Sequence, residues 1–179
     1  MSRGHKCGNQ TEELPAGRNA QRIPLENLGD QRLFRFLDYW RSKSAQGRLP
    51  LRRDIDPSEF RWALGLVCLL DVEQRPLRFR YRLDGSVIAT RNGHDMTGFA
   101  IDAIEHKPSA GMLHGQFATV VAEKAPAAHR IATEYGLAGM TYERLALPLS
   151  HDGHDVAMIM TVAANMEIEQ SQHVRCFFR

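Results

Sequence analysis

The chain has 179 residues, 43 % of them hydrophobic and 25 % charged, which suits one domain with a sizeable core. Its 23 basic and 21 acidic residues give a net charge of +2, so overall charge makes no electrostatic case for nucleic acid or an anionic membrane. No apolar run approaches the ~20 residues of a membrane-spanning helix, and the polar start MSRGHKCGNQTEELPAGRNAQ lacks the apolar stretch of a secretory signal, which points to a soluble cytoplasmic protein.

Residues 1 to 28 are polar, carry Pro15 and Pro24, and show no sustained period, so they read as a flexible N-terminal arm. Structure begins at Asp30, an expected helix N-cap. Leu33, Phe36, Leu37 and Trp40 follow at i, i+3, i+4 and i+7, the stripe of an amphipathic helix that Gln46-Gly47 ends. After a charged linker, Asp56-Pro57-Ser58-Glu59 reads as an N-cap with proline at the first helical position. The short helix it opens, to about Ala63, is expected to set Phe60 and Trp62 against the next strand.

That strand, Leu66 to Val72, is apolar, and a turn at Glu73 to Pro76 leads into a second in which Leu77, Phe79, Tyr81 and Leu83 alternate with Arg78, Arg80, Arg82 and Asp84. Such alternation marks a half-buried strand. Asp84-Gly85 ends it, and a helical piece, SVIATR, stops at Asn92-Gly93. Lys107 to Lys124 carries apolar residues three and four apart and reads as a helix of about four turns stopped by Pro126. Three strands close the chain, Ala128 to Tyr135, Tyr142 to Leu149 and Val156 to Ala164, the last two joined by the hairpin signal Ser150-His151-Asp152-Gly153. Residues 29 to 165 thus form the domain and 166 to 179 a C-terminal tail.

The ordering of LDYWRS (Leu37 to Ser42), GRLPLRRDIDPSEF (Gly47 to Phe60), LLDV (Leu69 to Val72), FRYRLDGSVI (Phe79 to Ile88), GHDMTG (Gly93 to Gly98) and LALPLSHDG (Leu145 to Gly153) resembles the PAS domain. More narrowly, it resembles bacterial stand-alone PAS proteins with an N-terminal helix ending in tryptophan. The resemblance implies an α+β fold, a five-stranded antiparallel sheet with helices over one face, preceded by the amphipathic helix. It also implies a small ligand pocket between sheet and helices, for which Phe79, Tyr81, Ile88, Phe99, Phe117, Leu145 and Leu147 are the candidate walls. The implied role is a non-enzymatic sensor or protein-interaction module in signal transduction, with an unidentified protein partner. Residues 1 to 28 and 166 to 179 are too short for an attached output module. The final strand is apolar on both faces, so the Leu33, Phe36, Leu37, Trp40 stripe is expected to cover the second one, either on its own sheet or across a homodimer, the favoured arrangement because Phe34 and Tyr39 lie off the stripe.

Other chemistries find less support. Cys7, Cys68 and Cys176 are odd in number and widely spaced, which argues against a disulfide framework or thiolate zinc site. His151, Asp152, His154 and Asp155 cluster at a hairpin tip, the place of an exposed turn rather than of converging metal ligands. Among PAS sensors a haem ligand lies on or near the long helix, so His106 and His114 are eligible by position. The reactive cysteine of flavin light sensors has no counterpart between Cys68 and Cys176. No cofactor is expected. Catalytic and phosphate-binding signatures are absent. Arg78, Arg80 and Arg82 could track phosphates, but the solvated side of an antiparallel sheet, or cross-strand pairing with acids such as Glu134 and Glu143, is the favoured account of them. Two further classes therefore stay open beside the sensor: an unrecognised small-molecule enzyme and a nucleic-acid-associated regulator.

Overall fold

The computed structural model describes residues 19–44, 47–105, 107–135 and 138–170. The strands β1 (Asn19–Ile23), β2 (Val67–Gln74), β3 (Leu77–Leu83), β4 (Ala127–Tyr135), β5 (Ala138–Ser150) and β6 (Val156–Gln170) form one antiparallel sheet in the order β1-β4-β5-β6-β2-β3. Helix α1 (Gln31–Lys43) precedes β2, while α2 (Ser86–Asn92) and α3 (Lys107–Glu123) lie between β3 and β4. The architecture is α+β, as expected.

Local chemistry sets the element ends. The Asp30 carboxylate accepts from Arg32 N at 2.7 Å and caps α1. Asp56 likewise accepts from Ser58 N at 2.8 Å and opens a 3-10 segment, Pro57–Leu66. Gly93 closes α2 at φ 78°, a left-handed conformation that a side chain would strain. Helix α3 ends at Glu123, ahead of Pro126 as its pattern requires.

The sheet has five strands by expectation and six in the structure. The added strand, β1, comes from the stretch expected to be flexible, and β6 runs on to Gln170, into the expected tail. Strand β1 pairs along β4 from Asn19↔Ala132 to Ile23↔Ala128. Its hold is mostly backbone hydrogen bonds, with Ile23 buried and Arg22 forked onto Glu123 of α3. Backbone pairing leaves little compositional trace, which is why the sequence pattern missed it. The rest of the expected arm and tail, residues 1–18 and 171–179, lies outside the described residues.

Register assigns the two faces. Phe79 meets Phe117 of α3 with ring centroids 5.6 Å apart, so Phe79 and Tyr81 face α3. Following the pairs Leu70↔Tyr81, Leu70↔Ile159, Cys68↔Thr161 and Ala146↔Thr161 places Ile159, Thr161, Ala146 and Arg144 on that same face. The alternate residues, Leu145, Leu147, Leu149, Met158, Met160 and Val162, form the opposite face, all buried. Helix α1 covers this second face. Leu33, Phe36, Leu37 and Trp40 are 0 %, 1 %, 1 % and 8 % exposed, and burial of this kind contributes roughly 1.5–3 kcal/mol for each large apolar side chain.

Of the two arrangements expected for this stripe, the single chain adopts the one on its own sheet. Within the single chain the stripe is already spent on its own sheet. Phe34 and Tyr39 are not left exposed either: both pack half-buried against the core, and the Tyr39 hydroxyl accepts from Asp56 N at 2.9 Å. Phe60 and Trp62 also depart from expectation. At non-helical φ −135° the chain kinks and turns the Phe60 ring onto Phe36, 5.2 Å away, and Tyr39, 5.5 Å away. Trp62 stacks beside Phe36 at 5.3 Å with the Arg35 guanidinium 4.3 Å above it, and remains 40 % exposed. Both aromatics therefore serve α1 rather than β2.

Candidate functional site

On the α3 face the sheet interior is not purely apolar. His129 of β4 and Arg144 of β5 are directly opposed cross-strand partners, and such neighbours hold their side chains within about 5 Å at Cβ. Both are buried. Arg144 Nη2 donates to Gln116 Oε1 of α3, and its guanidinium carbon stands 5.1 Å from the Phe117 ring centroid. These are its only polar and ring contacts among the described residues, and no carboxylate pairs with it there.

The groups around Arg144 are also unspent. Tyr81 and Tyr142 lie on the same face, near enough to act electrostatically on one another. Among the described residues, neither hydroxyl nor the His129 ring makes a hydrogen bond. Yet no buried side-chain nitrogen or oxygen among those residues is both sealed and unpartnered. Two hydroxyls, an imidazole and most of a guanidinium therefore border space that a water-sized body can reach. Burial first, then Arg144 and Arg22, holds the His129 imidazole down to about 4 from its ordinary 6.5, so the ring is neutral at physiological pH. Burial also pushes the Tyr81 phenol up, with Cys68 the next contributor.

Cys68 and Asp84 form the neighbouring feature. The buried thiol donates to Asp84 Oδ1 at 3.1 Å, and burial above all pushes it up to about 12. The second carboxylate oxygen accepts from Met96 N at 3.1 Å. Asp84 thus ties the loop after α2 to β2, and the thiol is protonated and inert.

Of the seven expected pocket walls, Phe79, Tyr81 and Phe117 come together on the α3 face. Leu145 and Leu147 are fully buried but point to α1, on the other side of the sheet. Ile88 packs half-buried against the core. Phe99 is 56 % exposed, and it is its carbonyl that engages Tyr81, accepting from Tyr81 N at 2.9 Å. Gln116, His129, Tyr142 and Arg144 were missed. The signal available was alternation in β5, where Tyr142 and Arg144 share a face that excludes Leu145 and Leu147.

The remaining candidates sort plainly. His114 lies edge-on to Phe79 at 5.2 Å with Nε2 3.1 Å from the Leu77 carbonyl oxygen. His106 lies outside the described residues. Arg78, Arg80 and Arg82 pair with Asp102, Glu73 and Asp71, which neutralises the stripe. Glu143, one of the acids expected to serve them, pairs instead with Arg130 at 2.8 Å. At the hairpin tip, Asp152 accepts from His154 N, Asp155 N and Ser150 Oγ, which holds its carboxyl below the usual range. Among the described residues no group of three or more His, Cys, Asp and Glu side chains could hold a metal ion. No described helix is long and apolar enough to cross a membrane.

A family model described as PAS domain matches residues 30–164. The chain belongs to the PAS domain family. Comparisons with curated proteins and with solved structures gave no match. The match to the PAS domain begins at Asp30, the cap of α1, and ends at Ala164 of β6, so it includes both layers of helix and the polar cluster between α3 and the sheet. This PAS domain also carries a groove of about 420 Å³ between the 3-10 segment and α2, where Trp62, Leu66 and Val87 meet Arg32 and Arg91. Arg32 is committed to Asp30 through both carboxylate oxygens.

Proposed function

We propose that this PAS domain is a non-enzymatic sensor that takes a small ligand between α3 and the sheet and reports it to a partner protein by contact. The observation that carries the reading is that the α3 face gathers the half-buried Tyr81 and Tyr142 with the buried His129 and Arg144, whose free polar atoms are not sealed off but border accessible space. Convergent polar groups beside accessible space are what fixes a ligand's orientation in a small-molecule site. Phe79 and Phe117 supply an apolar wall beside these groups, the mixture typical of small-molecule sites. The inert Cys68 thiol supports a binding role over a catalytic one. The commitment of the His114 ring to Phe79 and the Leu77 carbonyl supports an organic ligand over haem.

The test is native mass spectrometry of the purified protein, followed by denaturation and extraction. A small molecule at near-stoichiometric amount, lost in Phe117→Trp, is the expected result. A Soret band would replace the organic ligand with haem. Failure to find an endogenous ligand, together with no NMR shift at Tyr81, Gln116 or Arg144 across a fragment collection, would overturn the reading.

A further inference from the structure

The polar cluster has a sign. Arg144 carries a permanent positive charge and is 8 % exposed, yet no carboxylate among the described residues neutralises it. Elsewhere in the chain, the buried carboxylates of Asp30 and Glu143 each have an arginine on them. A guanidinium this deeply buried loses most of its bulk hydration, and an anion in the accessible space beside it would replace that loss. Gln116 supplies only a neutral acceptor and Phe117 a ring face. Its opposite number, His129, is neutral, so the face holds one uncompensated cation surrounded by donors.

We infer that the ligand of this site is a small organic carboxylate, bound by Arg144 with the Tyr81 and Tyr142 hydroxyls and His129 as additional donors and with its apolar body against Phe79 and Phe117. The inference rests on the ligand-sensing reading above and adds the chemical class. A carboxylate matches the guanidinium fork, which donates two parallel N–H bonds to its two oxygens. The two phenol hydroxyls can donate to the same oxygens. One full cation suits a monoanion, whereas a phosphate ester of nearly two negative charges would leave charge uncompensated. The aromatic wall selects an acid with an apolar body over a small hydrophilic one.

Binding should also take up a proton. Arg144 is among the groups that hold the His129 ring neutral, and a carboxylate on Arg144 cancels that effect and adds an attraction of its own. The charged groups acting on His129 are its two cross-strand neighbours, Arg144 of β5 and Arg22 of β1, the latter in its pair with Glu123 of α3. Once bound, the anion is the dominant negative charge there.

The experiment uses the full chain and a matched probe set: straight-chain acids from acetate to octanoate, benzoate and phenylacetate, each beside its primary amide, with phenyl phosphate and sodium chloride as controls. Thermal unfolding is followed with each probe at about 10 mM, where a ligand at many times its Kd raises Tm by several degrees. Acids with an apolar body are expected to raise Tm while the amides and chloride do not. Arg144→Gln should weaken the best acid by about tenfold to a hundredfold, the size of a charge-assisted hydrogen bond lost. In case that variant folds poorly, the His129 ring is titrated by NMR in the unmodified protein. The acid should raise its pKa toward the ordinary value, and the amide should leave it in place.

Amides that bind as tightly as acids overturn the carboxylate while leaving the ligand-sensing reading intact. Acids that stabilise without moving His129, or equally in Arg144→Gln, place the anion elsewhere and overturn it too. Phenyl phosphate binding more tightly than every acid replaces the class. No response to any probe overturns the carboxylate, and the sensing reading then stands or falls on the extraction experiment.

Discussion

The Trp40 indole N–H donates a 2.7 Å hydrogen bond to the carbonyl oxygen of Pro148, joining the last turns of α1 to β5 in a buried contact. Proline has no N–H to bring to the ladder, but its carbonyl still needs a donor. Trp40 provides it while filling the second face of the sheet. Replacing Trp40 with alanine removes both the packing and the donor, and is expected to cost about 3–5 kcal/mol. Urea unfolding measures this directly. A loss below about 1 kcal/mol would mean that α1 is not held on its own sheet as described.

Gly85 permits a close approach that no other residue can. A Cβ there would stand 2.5 Å from the Gly65 carbonyl oxygen and 2.7 Å from that of Val67, both backbone atoms. Its φ of −62° is ordinary, so the constraint is space and not conformation. Gly85→Ala should therefore lower stability by about 1–3 kcal/mol or more, as overpacking does. Gly93→Ala, where a Cβ meets nothing within 4 Å but φ is 78°, tests conformational strain alone and should cost about 1 kcal/mol.

Cys68 should resist alkylation. With its thiol pushed up to about 12 and bonded to Asp84, almost no thiolate exists near neutral pH. Iodoacetamide labelling of the native protein, read by peptide mapping of the Cys68 segment, should show protection that urea removes. Asp84→Ala deletes the acceptor used by both the thiol and Met96 N. It should destabilise by about 1–3 kcal/mol and make Cys68 reactive as the loop loosens.

His129 gives the acid limb of stability a definite direction. Its folded pKa is lowered to about 4 from 6.5, burial first. For a base with a depressed folded pKa the unfolded chain takes up the proton first. The contribution is therefore complete above about 6.5 and is lost as pH falls toward 4. Partial contact with the accessible space trims the full product, leaving on the order of 2 kcal/mol across that window. Comparing urea unfolding of the unmodified chain with His129→Gln at neutral and acidic pH isolates it, and the variant should show the shallower slope. Equal slopes would assign the imidazole to a solvated position.

What the sequence determined by itself was local. The α1 stripe, the caps at Asp30 and Asp56, the stop at Gly93 and the alternation of β3 each depend on residues within a few positions of one another, where period and side-chain chemistry leave few choices. The order of elements followed, and with it the resemblance to the family. The site was legible only where one face was marked, as at Phe79, Tyr81 and Phe117. In β5 and β6 both faces are covered, so apolar character does not say which helix a residue meets, and Leu145 and Leu147, expected among the pocket walls, lie on the α1 face instead. The tertiary structure decided that, because register carries the face from Phe79 through β2 and β6 to Arg144. It also decided the pairing of β1, the use of α1 on its own sheet, and the meeting of His129, Arg144 and Gln116 from three separate elements. Those contacts bring together residues far apart in the chain, and no local pattern encodes the free energy that selects them.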